Sequence, residues 1–189
     1  DELRLVSRTP FHTALALICF AANSVLCRLA LSGGVIDPAS FSAVRLLAGA
    51  GTLAVLVRAG RTSRAPGSSS WASATLLFLY AVPFSYAYVS LSTGTGALLL
   101  FGAVQATMIL ASLGHGDRPR AAQWLGLACA FGGLTYLVLP GVTAPSPRGA
   151  ALMLLAGVAW GLYTLRGRGV TDPLGQTASN FARTLPMIL

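Results

Sequence analysis

Six apolar runs follow one another along this chain, at 11–31, 40–57, 71–91, 95–113, 121–139 and 149–165, and a seventh begins near Gln176. The hydrocarbon core of a bilayer takes roughly 20 mostly apolar residues of helix, and in lipid a helix satisfies all of its own backbone groups. Only 10% of the residues are charged, against about a quarter in soluble domains, and the mean hydropathy is +0.71. The expectation is an all-α polytopic transmembrane helix bundle with lipid as its main solvent.

The formal net charge is +8, from thirteen arginines and no lysine against five acids. Nucleic-acid binding needs a contiguous basic face, whereas these arginines are scattered over short connectors, so no nucleic-acid partner is expected. With the N-terminus in the cytoplasm, the inner connectors hold Arg4, Arg8, Arg58, Arg61, Arg64, Arg118, Arg120, Arg166 and Arg168. The outer connectors then hold Arg148 alone. That bias predicts a multi-pass inner-membrane protein with a cytoplasmic N-terminus. The basic start and apolar run resemble a signal peptide, but the run continues to Leu31 with no small-residue cleavage site, so a first span is expected.

The connectors "SGGVIDP", "RAGRTSRAPGSSS", "STGTG", "GHGDRPR", "PGVTAPSPR" and "RGRGVTDPLG" are rich in turn formers. The short one before the fourth span makes the third and fourth spans antiparallel neighbours, with Thr95 as the expected N-cap. Cys19, Cys27 and Cys129 all fall inside apolar runs, and Cys19 and Cys27 stand roughly 12 Å apart on a helix, too far to bridge. His12 and His115 have no metal-ligand spacing. "GAGTLA" at 49–54 fits a dinucleotide-binding pattern but lies inside a span. No cofactor, metal or catalytic cluster is expected, and an enzyme is disfavoured. The acids at 1, 2, 37, 117 and 172 sit in termini or connectors, so no intramembrane carboxylate offers a proton relay.

"AANSVLCRLALSGGVIDPASFSAVRLL" is echoed by "GVAWGLYTLRGRGVTDPLGQTASNFARTLP": a small-residue span, an exit arginine, an Asp-Pro turn, then an arginine early in the next span. Asp37 and Asp172 are 135 residues apart, Arg45 and Arg183 are 138 apart, and five spans lie between equivalent points. An odd number of spans inverts the second copy, the logic of transporter repeats. These stretches, with "AYVSLSTGTGALLLFGAVQATM" and "LGHGDRPRAAQWLGLACAFGGLTYLVL", resemble the EamA-type repeat of the drug/metabolite transporter superfamily. The resemblance implies inverted five-helix repeats, one complete at 1–148 and the start of a second at 149–189, within a ten-helix carrier working by alternating access. The turn "GHGDRP" departs from the family's pattern, with Asp117 in the acidic place, and Gln105 stands where many relatives carry a proline.

Arg45 lies about one turn inside an apolar run. With Ala48, Gly49 and Thr52 it forms a small, polar-tolerant helix face, opposite Leu46, Ala50, Leu53 and Val57. A charge at the centre of a span costs at least about 2.5 kcal/mol and normally turns toward a bundle interior. Arg45 is therefore expected at the solute pathway as a gate or anion contact, with Arg183 its counterpart; snorkelling to the surface and pairing with Asp37 are the competing readings. Asn23, on a stripe with Ala16, Cys19 and Cys27, is expected either to join helices or to touch solute. Gln105 on the fourth span and Tyr88, on an aromatic stripe with Tyr80 and Phe84, are further pathway candidates. So is Trp160, set between Gly157 and Gly161, whose small-xxx-small spacing admits a neighbouring helix, as does that of Ala122, Gly126 and Ala130. The expected function is secondary transport of a small metabolite or amphipathic compound. The alternative is a non-transporting membrane protein, a sensor or assembly factor. Small-molecule solute and lipid are the expected partners, and a homodimer stays open.

Overall fold

A computed structural model describes residues 2–60, 70–114, 121–138 and 145–188; for 2–9 and part of the fifth helix it describes the backbone alone. Among these residues the chain is all helical: α1 (Glu2–Ser32), α2 (Pro38–Ala59), α3 (Trp71–Tyr88), α4 (Thr93–Gly114), α5 (Ala121–Val138), α6 (Pro147–Arg166) and α7 (Pro173–Thr184). A 3-10 turn, Leu185–Met187, follows α7. The connector arginines 61, 64, 118 and 120, with His115 and Asp117, lie outside the described residues.

Three helices start with the same device. Asp37-Pro38, Ser146-Pro147 and Asp172-Pro173 each place an acceptor side chain at the N-cap and a proline in the first turn, where no N–H is needed. The helix α4 corrects the sequence expectation. Its cap is Ser92, whose Oγ accepts from the Thr95 N–H at 3.3 Å, so Thr95 sits in the first turn. The last helix begins at Pro173, three residues before the expected start.

The Asp37 carboxylate accepts from the Ala39 and Ser40 N–H groups, both at 2.9 Å. Hydrogen bonding from the Ser40 side chain, then from the Ser40 backbone, holds its carboxyl below the usual 3.8. A lowered folded-state value stabilises the helix above the ordinary carboxyl range, and that stabilisation is lost as pH falls through the lowered value. Asp37→Ala is therefore expected to lower Tm at neutral pH, and Asp37→Asn, which keeps an acceptor oxygen, to preserve it. The gap between the parent and Asp37→Ala should narrow on acidification in a thermal melt, while the gap between the two variants, neither of which titrates at this position, should persist.

Among the described residues, four helices are long and apolar enough to cross a membrane: Pro10–Ser32, α2, α4 and α6. The third expected span, α3, is not among them, for a physical reason. It is the centre of the bundle, with Leu77, Tyr80, Ala81, Phe84, Ala87 and Tyr88 all buried. A helix solvated by other helices can carry serines, phenols and Pro83 that a lipid-facing helix could not. The outer helices show the converse: Phe11, Leu17, Ile18, Leu26 and Leu29 on α1, and Val44, Leu47, Val55 and Leu56 on α2, are exposed. An exposed apolar belt of this kind fits hydrocarbon.

The inward face of α2 differs from the expected one. Leu46 is only 1% exposed and packs in the core, whereas Ala48 and Thr52 are exposed. Sorting by polarity placed the face one position off, because the buried side of a membrane helix is packed with apolar residues too.

The closest helix packing joins α3 and α4 to α6. A Cβ at Gly157 would lie 2.6 Å from the Ala103 Cβ and 2.7 Å from the Leu100 carbonyl oxygen, and one at Gly161 would lie 2.9 Å from the Thr107 Cβ. The Gly157/Gly161 pair thus does what its spacing implied. Among the described residues α5 makes no such approach: Ala122 is exposed and a Cβ at Gly126 would meet nothing within 4 Å. Ala130 lies outside the described side chains.

Two arginines clamp α3 at its opposite ends. Arg28, near the end of α1, donates through Nη1 to the Tyr88 and Val89 carbonyls at 2.7 and 2.9 Å. These are orphan acceptors of a helix C-terminus, where the dipole favours a cation. Arg166, at the end of α6, donates through Nε to Ser73 Oγ at 3.2 Å and through Nη2 to Ser70 Oγ at 3.1 Å, at the N-terminus of α3. The ends of α1 and α6 therefore lie at opposite ends of the bundle.

Candidate functional site

The core leaves a cleft of about 520 Å³ bounded by α1, α2, α3, α6 and α7. Cys19, Phe20 and Asn23 come from α1, Arg45 and Gly49 from α2, Leu77 and Tyr80 from α3, Trp160 and Tyr163 from α6, and Thr177 and Phe181 from α7. Gly49 has a geometric reason to lack a side chain, since a Cβ there would lie 2.5 Å from the Phe181 ring that closes the wall.

Arg45 reaches into this cleft. Its guanidinium lies 4.9 Å from the Phe84 ring centroid and 5.4 Å from that of Tyr80. Two ring faces offset part of the cost of removing the cation from water. Nη1 is buried and, among the described residues, has no hydrogen-bond partner. Asp37 is engaged at the α2 cap, and Asp172 Oδ1 caps α7 through the Gly175 N–H at 2.9 Å. Arg45 is thus turned inward, as its place in the sequence implied, and is not paired with Asp37.

Asn23 donates through Nδ2 to the Tyr80 hydroxyl at 3.4 Å while lining the cleft, so it joins helices and faces the cavity at once. Ala16 and Cys19 line it too, whereas Cys27 is buried in the core. Trp160 forms the far wall. Its ring lies 4.7 Å from that of Tyr80, 6.1 Å from that of Phe20, and stacks on Tyr163 at 5.5 Å with a 28° interplanar angle.

Behind that stacked pair is a second cleft of about 220 Å³, lined by Ser73, Thr164, Gly167, Pro173, Gln176 and Asn180. Trp160, Tyr163 and Thr177 line both clefts and so form the partition between them. Asn180 is 1% exposed, donates through Nδ2 to the Tyr163 hydroxyl at 3.3 Å, and has an Oδ1 without a partner among the described residues. On α7 the buried residues Gln176, Asn180 and Thr184 recur every four positions, a polar stripe facing inward. That spacing was the signal for Asn180; its hydrophilicity hid it among connector-like residues.

Three expected pathway residues lie elsewhere. Gln105 is exposed on the outer face of α4, away from both clefts. Tyr88 is fully buried, its hydroxyl donating to the Thr93 carbonyl at 3.4 Å and its ring against Gly96, so it is a packing residue. Arg183 lines neither cleft. Its guanidinium sits 5.8 Å from the Trp71 ring centroid, with Nη1 buried and unpartnered among the described residues.

No family model matches this sequence, and no solved structure matches it. Over 178 residues the chain is 54% identical to the uncharacterized protein PA1977 of Pseudomonas aeruginosa. The match covers 94% of this chain and 62% of that relative, so the chain spans less than two thirds of the relative's length.

Proposed function

We propose that the chain is the N-terminal part of an EamA-like secondary carrier of the drug/metabolite transporter superfamily, lying in the inner membrane with its N-terminus in the cytoplasm. It moves a small metabolite or amphipathic compound by alternating access. The observation that carries the reading is the pair of clefts separated by Trp160, Tyr163 and Thr177: two solute-sized spaces in a lipid-compatible bundle, divided by three side chains. The fixed positive charge of Arg45 and the unpartnered amide oxygen of Asn180 supply contacts on either side of that partition. Rings that turn aside join the clefts; rings that stack divide them.

The inverted-repeat reading is supported by the arginine clamps. Arg28 and Arg166, equivalent by sequence, hold opposite ends of α3, as an odd number of intervening spans requires. Arg45 and Arg183, the next equivalent pair, each stack on aromatic rings of α3.

The test uses the full-length protein in liposomes loaded with a small-molecule cell extract. Solutes released into fresh buffer are identified by mass spectrometry. At least one solute is expected to leave faster than from protein-free vesicles and to show saturable counterflow. Identical release from both preparations would overturn the carrier and favour a non-transporting membrane protein.

A further inference from the structure

From the Arg45 cleft we infer the chemical class of its ligand: a small, singly charged organic carboxylate with an aromatic or apolar body. This rests on the reading of the cleft as a solute chamber. A volume of about 520 Å³ is that of a small-molecule site. Its walls are mostly apolar and aromatic, with Phe20, Leu77, Trp160 and Phe181 among them. Such walls favour a hydrophobic body over a sugar or a polyphosphate.

The charge decides the rest. One guanidinium lines the cleft, its Nη1 is buried without an acceptor among the described residues, and the described aspartates are engaged at helix caps. A cation withdrawn from water next to two ring faces still has free donors, and the acceptor that fits a guanidinium best is a planar carboxylate. A single cation matches a monoanion; Arg183, the next nearest in kind, lines neither cleft. The Asn23 side chain, on the same wall, is placed to meet a second polar group on the same ligand.

The full-length protein in phosphatidylcholine nanodiscs is titrated by calorimetry with three probes of one shape: 3-phenylpropionate, 3-phenyl-1-propanol and 3-phenylpropylamine. Empty nanodiscs correct for partition into lipid. The carboxylate is expected to bind about tenfold to a hundredfold tighter than the alcohol, the effect of a charge-assisted hydrogen-bonded pair, and the amine weakest. Arg45→Gln is expected to bring the carboxylate down to the alcohol's affinity and leave the alcohol unchanged, while Arg45→Lys keeps part of the preference. Equal affinities for the three probes, a preference for the amine, or no binding of any probe overturns the inference on the parent protein alone, whether or not a variant folds. The titration is repeated in phosphatidylglycerol nanodiscs. A loss of carboxylate binding beyond the roughly tenfold that surface potential imposes would assign the guanidinium to a lipid headgroup and also overturn it. Saturable flux without carboxylate preference sinks this inference and leaves the carrier standing; carboxylate binding without flux does the reverse.

Discussion

Gly157→Val is expected to destabilise the bundle more than any single substitution on its lipid face. At this position α6 meets α4 with no room for a side chain: a Cβ would lie 2.6 Å from the Ala103 Cβ and 2.7 Å from the Leu100 carbonyl oxygen. The second of these is backbone, which cannot rotate aside as a side-chain tip can. The helices must separate, and separation loosens the packing of Met153, Ala156 and Ala159 in the core. The cost belongs at the upper end of the ~1–3 kcal/mol typical of overpacking. Gly51→Val is the control, because a Cβ there meets nothing within 4 Å, and it should change stability by no more than about 0.5 kcal/mol. Thermal unfolding of both variants in the same detergent checks the pair. Equal Tm values would mean that α4 and α6 do not approach at Gly157.

On the proposed carrier reading, Trp160→Ala is expected to produce a leak. The indole stacks on Tyr163, lies against Tyr80 and lines both clefts, so its removal merges spaces of about 520 and 220 Å³. A carrier whose two chambers communicate loses exchange before it loses permeability. Counterflow should fall on the order of tenfold, the effect of about 1.4 kcal/mol on a barrier, while unidirectional efflux is kept or rises. Trp160→Phe retains a ring that can stack on Tyr163 and should keep most of the counterflow. Loss of counterflow and efflux together would make Trp160 a packing residue rather than a partition.

Much of this arrangement was legible in the sequence because lipid leaves a chain few options. Hydropathy and turn residues placed the helices, and the small-residue spacing around Trp160 identified a close helix approach that Gly157 and Gly161 make against α4. Arg45 could be placed inside from cost alone: a charge in an apolar run turns inward. What failed was the assignment of faces. In water a polar residue marks the outside of a helix, but in lipid both faces are apolar and polarity only weakly reports the inside. Leu46 was therefore placed toward lipid although it is buried, and Gln105, expected at the pathway, lines neither of the two clefts. Tyr88 shared a stripe with Tyr80, yet one phenol packs against Gly96 and the other borders the cleft, a difference set by the depth of the neighbouring helices rather than by the spacing along α3. Asn180 and Tyr163 meet only once α7 packs against α2 and α3, contacts between segments whose register the sequence does not specify.

Cys19 offers the most direct test of the claim that the Arg45 cleft is a water-accessible solute chamber rather than a crevice filled by lipid. It is an exposed native thiol on the wall of that cleft, beside Phe20 and Asn23. In the full-length chain in nanodiscs, with every other cysteine replaced, Cys19 is predicted to react readily with an anionic, membrane-impermeant methanethiosulfonate, and faster than with its cationic analogue. Labelling by a membrane-soluble maleimide alone, with both charged reagents inert, would contradict the account.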